Sequence, residues 1–142
     1  ALWHRDHLAA GRGSVYDPRV LSRILPGAGV DAAEIAAMAE RRAHFAEAFR
    51  AAAAPFDALV WPTVPMVAPL FAELDDDGQN HAVNQRVLRN PSIVNLADGC
   101  AISLPCHRAG AAPVGLTLAA PGGDDDALLA AASIVEPLLS FH

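Results

Sequence analysis

FDALVWPTVPMVAP (residues 56–69), RNPSIVNLADGCAISLPC (89–106) and PVGLTLAAPGGDDDALL (113–129) decide the fold of this chain. Residues 58–61 are a short, wholly apolar run between Asp57 and Pro62, which reads as a buried strand of a parallel or mixed sheet. The segment after it carries prolines at 62, 65 and 69. These remove backbone donors and hold the chain extended, so it is neither helix nor inner strand but a rigid stretch suited to lining a cleft. Residues 101–104 read as a second strand ending at Pro105, and 114–118 as a third, antiparallel to the second because the connection is short.

Helical patterns surround these strands. Asp17-Pro18 predicts a cap and first turn for a short helix ended by Pro26-Gly27. Asp31 and Glu34 open a long helix with Ile35, Met38, Phe45 and Phe49 on one face, closed by Pro55. After a polar loop at 72–80, residues 80–89 predict a helix, and 92–97 resume helical spacing beyond Pro91. Gly99 suits a left-handed stop. Asp124, Asp125 and Asp126 lie where a helix macrodipole favours acids, ahead of the stripe Leu128, Leu129, Ala132, Val135 and Leu139. The order helix, strand, helix, strand, strand, helix is an α/β layer. Residues 1–55 are mainly helical and 56–142 hold the strands. A three-stranded sheet has at least one open edge, which something else must cover.

Composition narrows the function classes. At 142 residues the chain fits one domain with a moderate core. Net charge is −6, which argues against non-specific nucleic-acid binding. No apolar run spans a bilayer and the start does not read as a secretory leader, so no membrane association is expected and a cytoplasmic setting is. Cys100 and Cys106 are too few for a disulfide framework and read as buried, inert thiols. All ten positive charges are arginine, so no lysine base comes from within these residues. His4 and His7 stand one turn apart without a third ligand at hand, and the acidic runs lack the glycine and distal glutamate of a calcium loop. No metal site or cofactor is expected.

In order and spacing, three sets of residues resemble the carboxy-terminal portion of the amidase signature family, serine hydrolases of amide bonds. The sets are Asp57 with Pro62-Thr63 and Ala68-Pro69; Asn95 with Ala101-x-Ser103-x-Pro105 and Pro113-x-Gly115; and Asp125-Asp126 with Leu128-Leu129 and Glu136. Tyr16-Asp17-Pro18, Arg23-Ile24-Leu25 and Arg41-Arg42 extend the likeness more loosely. Cys100 stands where the family usually has proline, and Ala111 where it usually has glycine. The resemblance implies a mixed-sheet α/β/α fold and a Ser-Ser-Lys mechanism, in which lysine acts through a bridging serine and a second serine attacks the carbonyl. The lysine and the glycine-flanked serine pair have no counterpart here; none of Ser14, Ser22, Ser92, Ser103, Ser133 or Ser140 has that setting. What is implied is therefore a carboxy-terminal fragment with no catalytic residue of its own. Its partners would be the amino-terminal catalytic portion and a small-molecule amide substrate, and its open edge leaves room for a homo-oligomer. The alternative is a non-catalytic binding or assembly module derived from such an enzyme.

The substrate-cleft candidates are Arg23, Pro62, Thr63, Met66 and Pro69. Pro62-Thr63 reads as cleft lining and as a strand end that must turn. Arg23 reads either as an anchor for a polar or carboxylate substrate or as a surface arginine in a structural ion pair. Asn95 reads as a structural amide bonding backbone, and Arg89-Asn90 as a solvated helix end. Cys106 and His107, adjacent in sequence, point to opposite faces if the strand continues through them, which opposes an acid–base pair.

Overall fold

The computed structural model describes residues 2–139, so Ser140 lies outside it. Two compact units are present, Ala1–Glu40 and Arg41–His142. In the first, α1 (Arg5–Ala9) and α2 (Pro18–Ile24) are joined by a short 3₁₀ turn, Arg12–Val15. The Asp17 carboxylate accepts the Arg19 N–H at 2.8 Å and Pro18 occupies the first turn, so α2 begins as its sequence dictates. A further 3₁₀ turn, Leu25–Gly29, follows it. Tyr16 Oη and His4 Nδ1 lie 3.0 Å apart with the rings edge to face.

The helix α3 (Ala32–Ala53) starts where Asp31 accepts the Glu34 N–H at 2.8 Å. Of its expected apolar face, Phe49 is buried, together with Ala53, while Ile35, Met38 and Phe45 are exposed. The second unit continues through β1 (Leu59–Pro62), α4 (Asp77–Leu88), α5 (Pro91–Ala97), β2 (Cys100–Pro105), β3 (Gly115–Ala120) and α6 (Asp125–Val135). α4 begins earlier than its apolar spacing suggests, because the Asp76 carboxylate caps it by accepting the Gln79 N–H at 2.8 Å.

The strand order is β1-β3-β2. The α/β class stands, and both pairings are antiparallel, Val60 opposite Leu118 and Ile102 opposite Leu118. The parallel or mixed environment expected for residues 58–61 is thus not present among the described strands. Period-two alternation assigns the faces. Leu118, Leu104 and Ala120 pack with Leu128 and Ala132 of α6 on one side. Ala119, with no exposed surface, packs with Phe49, Val94 and Ala97 on the other. The apolar run predicts a buried β1; Val60 is instead 56% exposed. The reason is geometric: α6 packs mainly over β2 and β3. An apolar groove of about 1110 Å³ remains beside β1, between Val60 and Leu116 on the sheet and Ala127, Ala131 and Ile134 on α6.

The passage from α5 to β2 departs from expectation in one residue. Asp98, not Gly99, takes the left-handed conformation, with φ 56°. Its carboxylate accepts from Arg42 Nη2 at 2.8 Å. Gly99 is needed for a different reason: a Cβ there would stand 2.8 Å from the Ala120 carbonyl oxygen.

Candidate functional site

The site grows from the end of β1. Trp61 and Thr63 share the face that carries Thr117 and Ser103, since Trp61 pairs with Thr117 and Thr117 with Ser103 across the sheet. The Thr63 N–H donates to the Gly115 carbonyl at 2.8 Å, which extends the ladder one step past Pro62. That step brings three hydroxyls together. Thr117 Oγ1 donates to Thr63 Oγ1 at 2.9 Å, and Thr63 Oγ1 and Ser103 Oγ lie 2.5 Å apart. Thr117 is only 6% exposed, while Ser103 opens to solvent.

Gly115 makes the cluster sterically feasible. A Cβ there would stand 2.5 Å from Ser103 Oγ and 2.6 Å from Thr63 Oγ1. Asn90 fixes the turn from the other side, with Nδ2 donating to the Pro62 carbonyl at 2.7 Å. It is buried, contrary to the expectation of a solvated helix end, because Pro91 starts α5 directly after it and folds the junction onto β1. The hydroxyls border a pocket of about 290 Å³ whose apolar flank is Trp61, Val94 and Ile102. Asn95 lines its rim, and the Asn95 backbone carbonyl accepts from Arg42 Nη2 at 3.4 Å. Asn95 is exposed, and among the described residues its side chain makes no hydrogen bond to backbone, contrary to the role expected for it.

Of the cleft candidates, Thr63 lines this pocket and Pro62 contributes its carbonyl to the Asn90 bond. Met66 and Pro69 are half-buried in the irregular segment that follows and lie outside the lining. Arg23 belongs to the other unit, exposed on α2, with Nε donating to the Arg19 carbonyl at 3.0 Å. Ser103, Thr117 and Gly115 are site residues that sequence reasoning misses. Their motifs, Ala-x-Ser-x-Pro and Pro-x-Gly-x-Thr, place them at alternate positions of adjoining strands, but only the register shows that they meet.

The thiols are half-buried rather than buried. Burial, with the nearby Asp125 and Asp124 carboxylates, pushes the Cys100 thiol above its ordinary value, and Cys100 Sγ donates to the Pro121 carbonyl at 3.3 Å. Cys106 and His107 lie past the end of β2 and both reach Val114: Cys106 Sγ donates to its carbonyl at 3.5 Å, and His107 Nδ1 lies 3.3 Å from the same oxygen. The opposite-face argument therefore lapses here, since the strand has ended. Among the described residues no group of three or more His, Cys, Asp or Glu is placed to hold a metal ion. Nor is any helix long and apolar enough to cross a membrane.

Comparison with known proteins places these features. Over 96% of its length the chain is 33% identical to a glutamyl-tRNA(Gln) amidotransferase subunit from Syntrophomonas wolfei subsp. wolfei, and it spans 28% of that protein. The family model described as Amidase matches residues 5–129, a span that takes in β1, the Pro62-Thr63 turn, the Ser103 and Thr117 strands and the start of α6; the chain belongs to the amidase family.

Proposed function

We propose that this chain acts as the carboxy-terminal part of an enzyme that breaks or transfers a carbon–nitrogen amide bond, with a Ser-Ser-Lys catalytic set supplied from outside these residues. One observation carries the reading: a chain of this family contains no lysine in 142 residues. The proton acceptor that the mechanism needs therefore has no candidate of the right type here. The match to only 28% of a curated relative supports the same division of labour. Pro62, Thr63, Met66 and Pro69 shape one wall of the substrate cleft; Arg23, in the first unit, serves either as a separate anchor for a polar or carboxylate group of a small-molecule amide or as a surface arginine. The groove beside β1 receives the catalytic portion, since it is apolar, open and bordered by a strand with a free edge. The setting is cytoplasmic, in keeping with two free half-buried cysteines.

Ammonia release from glutamine, asparagine and benzamide tests this. The purified chain is expected to release none, and co-expression with the catalytic portion of a related amidase to restore release. Turnover by the chain alone, abolished by changing one of its own serines or cysteines, overturns the reading. A binding or assembly module is the second reading, favoured by the completeness of the hydroxyl pocket within this chain. A tight monomer that stays inactive with any catalytic portion selects it.

A further inference from the structure

The hydroxyl cluster has an unequal count of protons and partners. Three side chains, Thr63, Ser103 and Thr117, carry three O–H donors. Two bonds join them, Thr117 to Thr63 and Thr63 with Ser103. Whichever way the second bond runs, one proton is left over. If Thr63 donates to Ser103, the spare proton is on Ser103; if Ser103 donates, it is on Thr63. Both residues line the 290 Å³ pocket. Thr117 is buried and donates outward, so the cluster is polarised toward that mouth, and a donor at the end of a hydrogen-bond chain is strengthened.

The rest of the lining decides what the donor meets. Among the described residues none that borders the pocket is ionisable; Trp61, Val94 and Ile102 are apolar, and Asn95 is a neutral amide. A carboxylate here would lose water without gaining a counter-charge. A neutral carbonyl would gain the spare O–H, with no ion to desolvate.

We infer that Thr63, Ser103 and Thr117 form a specificity subsite for an uncharged carbonyl-bearing group attached to an apolar or aromatic body, and that this subsite discriminates against carboxylates. The inference deepens the cleft reading above and rests on it for the pocket's biological use. Thr63 and Ser103 contact the ligand; Thr117 is a positioning residue that orients the Thr63 hydroxyl, and Gly115 leaves the room for both.

Benzamide and benzoate are a matched pair for the test, alike in shape and different in charge. Each is titrated into the isotopically labelled 142-residue chain, with the amide resonances of Thr63, Ser103 and Thr117 and the Trp61 indole as readout. Benzamide is expected to shift these four signals, and benzoate to bind roughly tenfold more weakly. Ser103→Ala, at a solvent-facing site, and the isosteric Thr117→Val are each expected to weaken benzamide by roughly three- to tenfold, the equivalent of one neutral hydrogen bond. Thr63→Ser retains the hydroxyl and is expected to retain binding. Benzoate binding as tightly as benzamide, shifts that avoid these residues, or variants that bind like the parent each overturn the inference. Binding is read apart from turnover: an inactive complemented enzyme with this binding pattern counts against the amidase reading alone, and an active one without it counts against the subsite alone.

Discussion

Leu118 on β3 and Val60 on β1 are cross-strand partners on one face of the sheet, yet Leu118 is 2% exposed and Val60 56%. The half of that face formed by β2 and β3 lies under α6, where Leu104, Leu118, Ala120, Leu128 and Ala132 close on one another. The half at β1 has the same apolar chemistry and, among the described residues, opens to the groove. Residue type alone cannot produce this difference. It follows from where the covering helix lands, and it separates the residues that hold this chain together from those free to hold something else.

Paired truncations test that separation most severely. Leu118→Ala removes the largest fully buried side chain and is expected to cost about 3 kcal/mol in urea unfolding, a large share of a typical domain's stability. Val60→Ala, one strand away, is expected to cost roughly 0.5 kcal/mol or less in the same measurement. If the groove receives a catalytic portion, as proposed, Val60→Asp is expected to block the restored ammonia release while leaving the chain folded. Equal costs for the two alanine variants in the isolated chain would mean that the groove closes in solution.

A smaller effect is expected at Gly115, on the opposite face. The hydroxyls that a new methyl would meet are ends of rotatable side chains, so Gly115→Ala is expected to cost about 1–3 kcal/mol and to disperse the cluster rather than unfold the sheet. Gly122→Ala is the harsher comparison, because there the Cβ would run into the Asp98 backbone carbonyl, which cannot rotate aside. Thermal unfolding of the two variants gives the order.

These contrasts also mark what is readable in the sequence. The strand ends are legible because Pro62 and Pro105 remove donors, and the α2, α3 and α6 starts because aspartates precede them. The irregular segment after β1 is legible from its proline spacing. Lateral facts are not: that β1 pairs with β3, that Val60 is uncovered, and that Thr63 meets Ser103 and Thr117 depend on register between segments 40 to 54 residues apart. Period two says that Ser103 and Ala101 share a face but not what lies across from them. Asn90 escapes the sequence reading for the same reason, since its burial comes from the turn made by the next helix and not from its own polarity.

The faintest effect belongs to Asp98, where two local terms oppose each other. A left-handed aspartate carries a modest backbone cost, and its carboxylate recovers some of it through Arg42. The side chains of Arg42 and Asp98 are 48% and 83% exposed, so water screens them and the bridge is worth no more than a few tenths of a kcal/mol. Asp98→Asn keeps a residue tolerant of the left-handed region and removes only the charge. The expected loss is roughly 0.5 kcal/mol or less at low ionic strength, shrinking toward zero in 1 M salt as the Debye length falls to about 3 Å. A loss above about 1 kcal/mol that ignores salt would show that the Asp98 side chain holds the α5–β2 corner by geometry and not by charge. That corner, carrying Ala97 against Phe49 and Gly99 against β3, would then rank with the α6 side of the sheet as part of what keeps this chain folded.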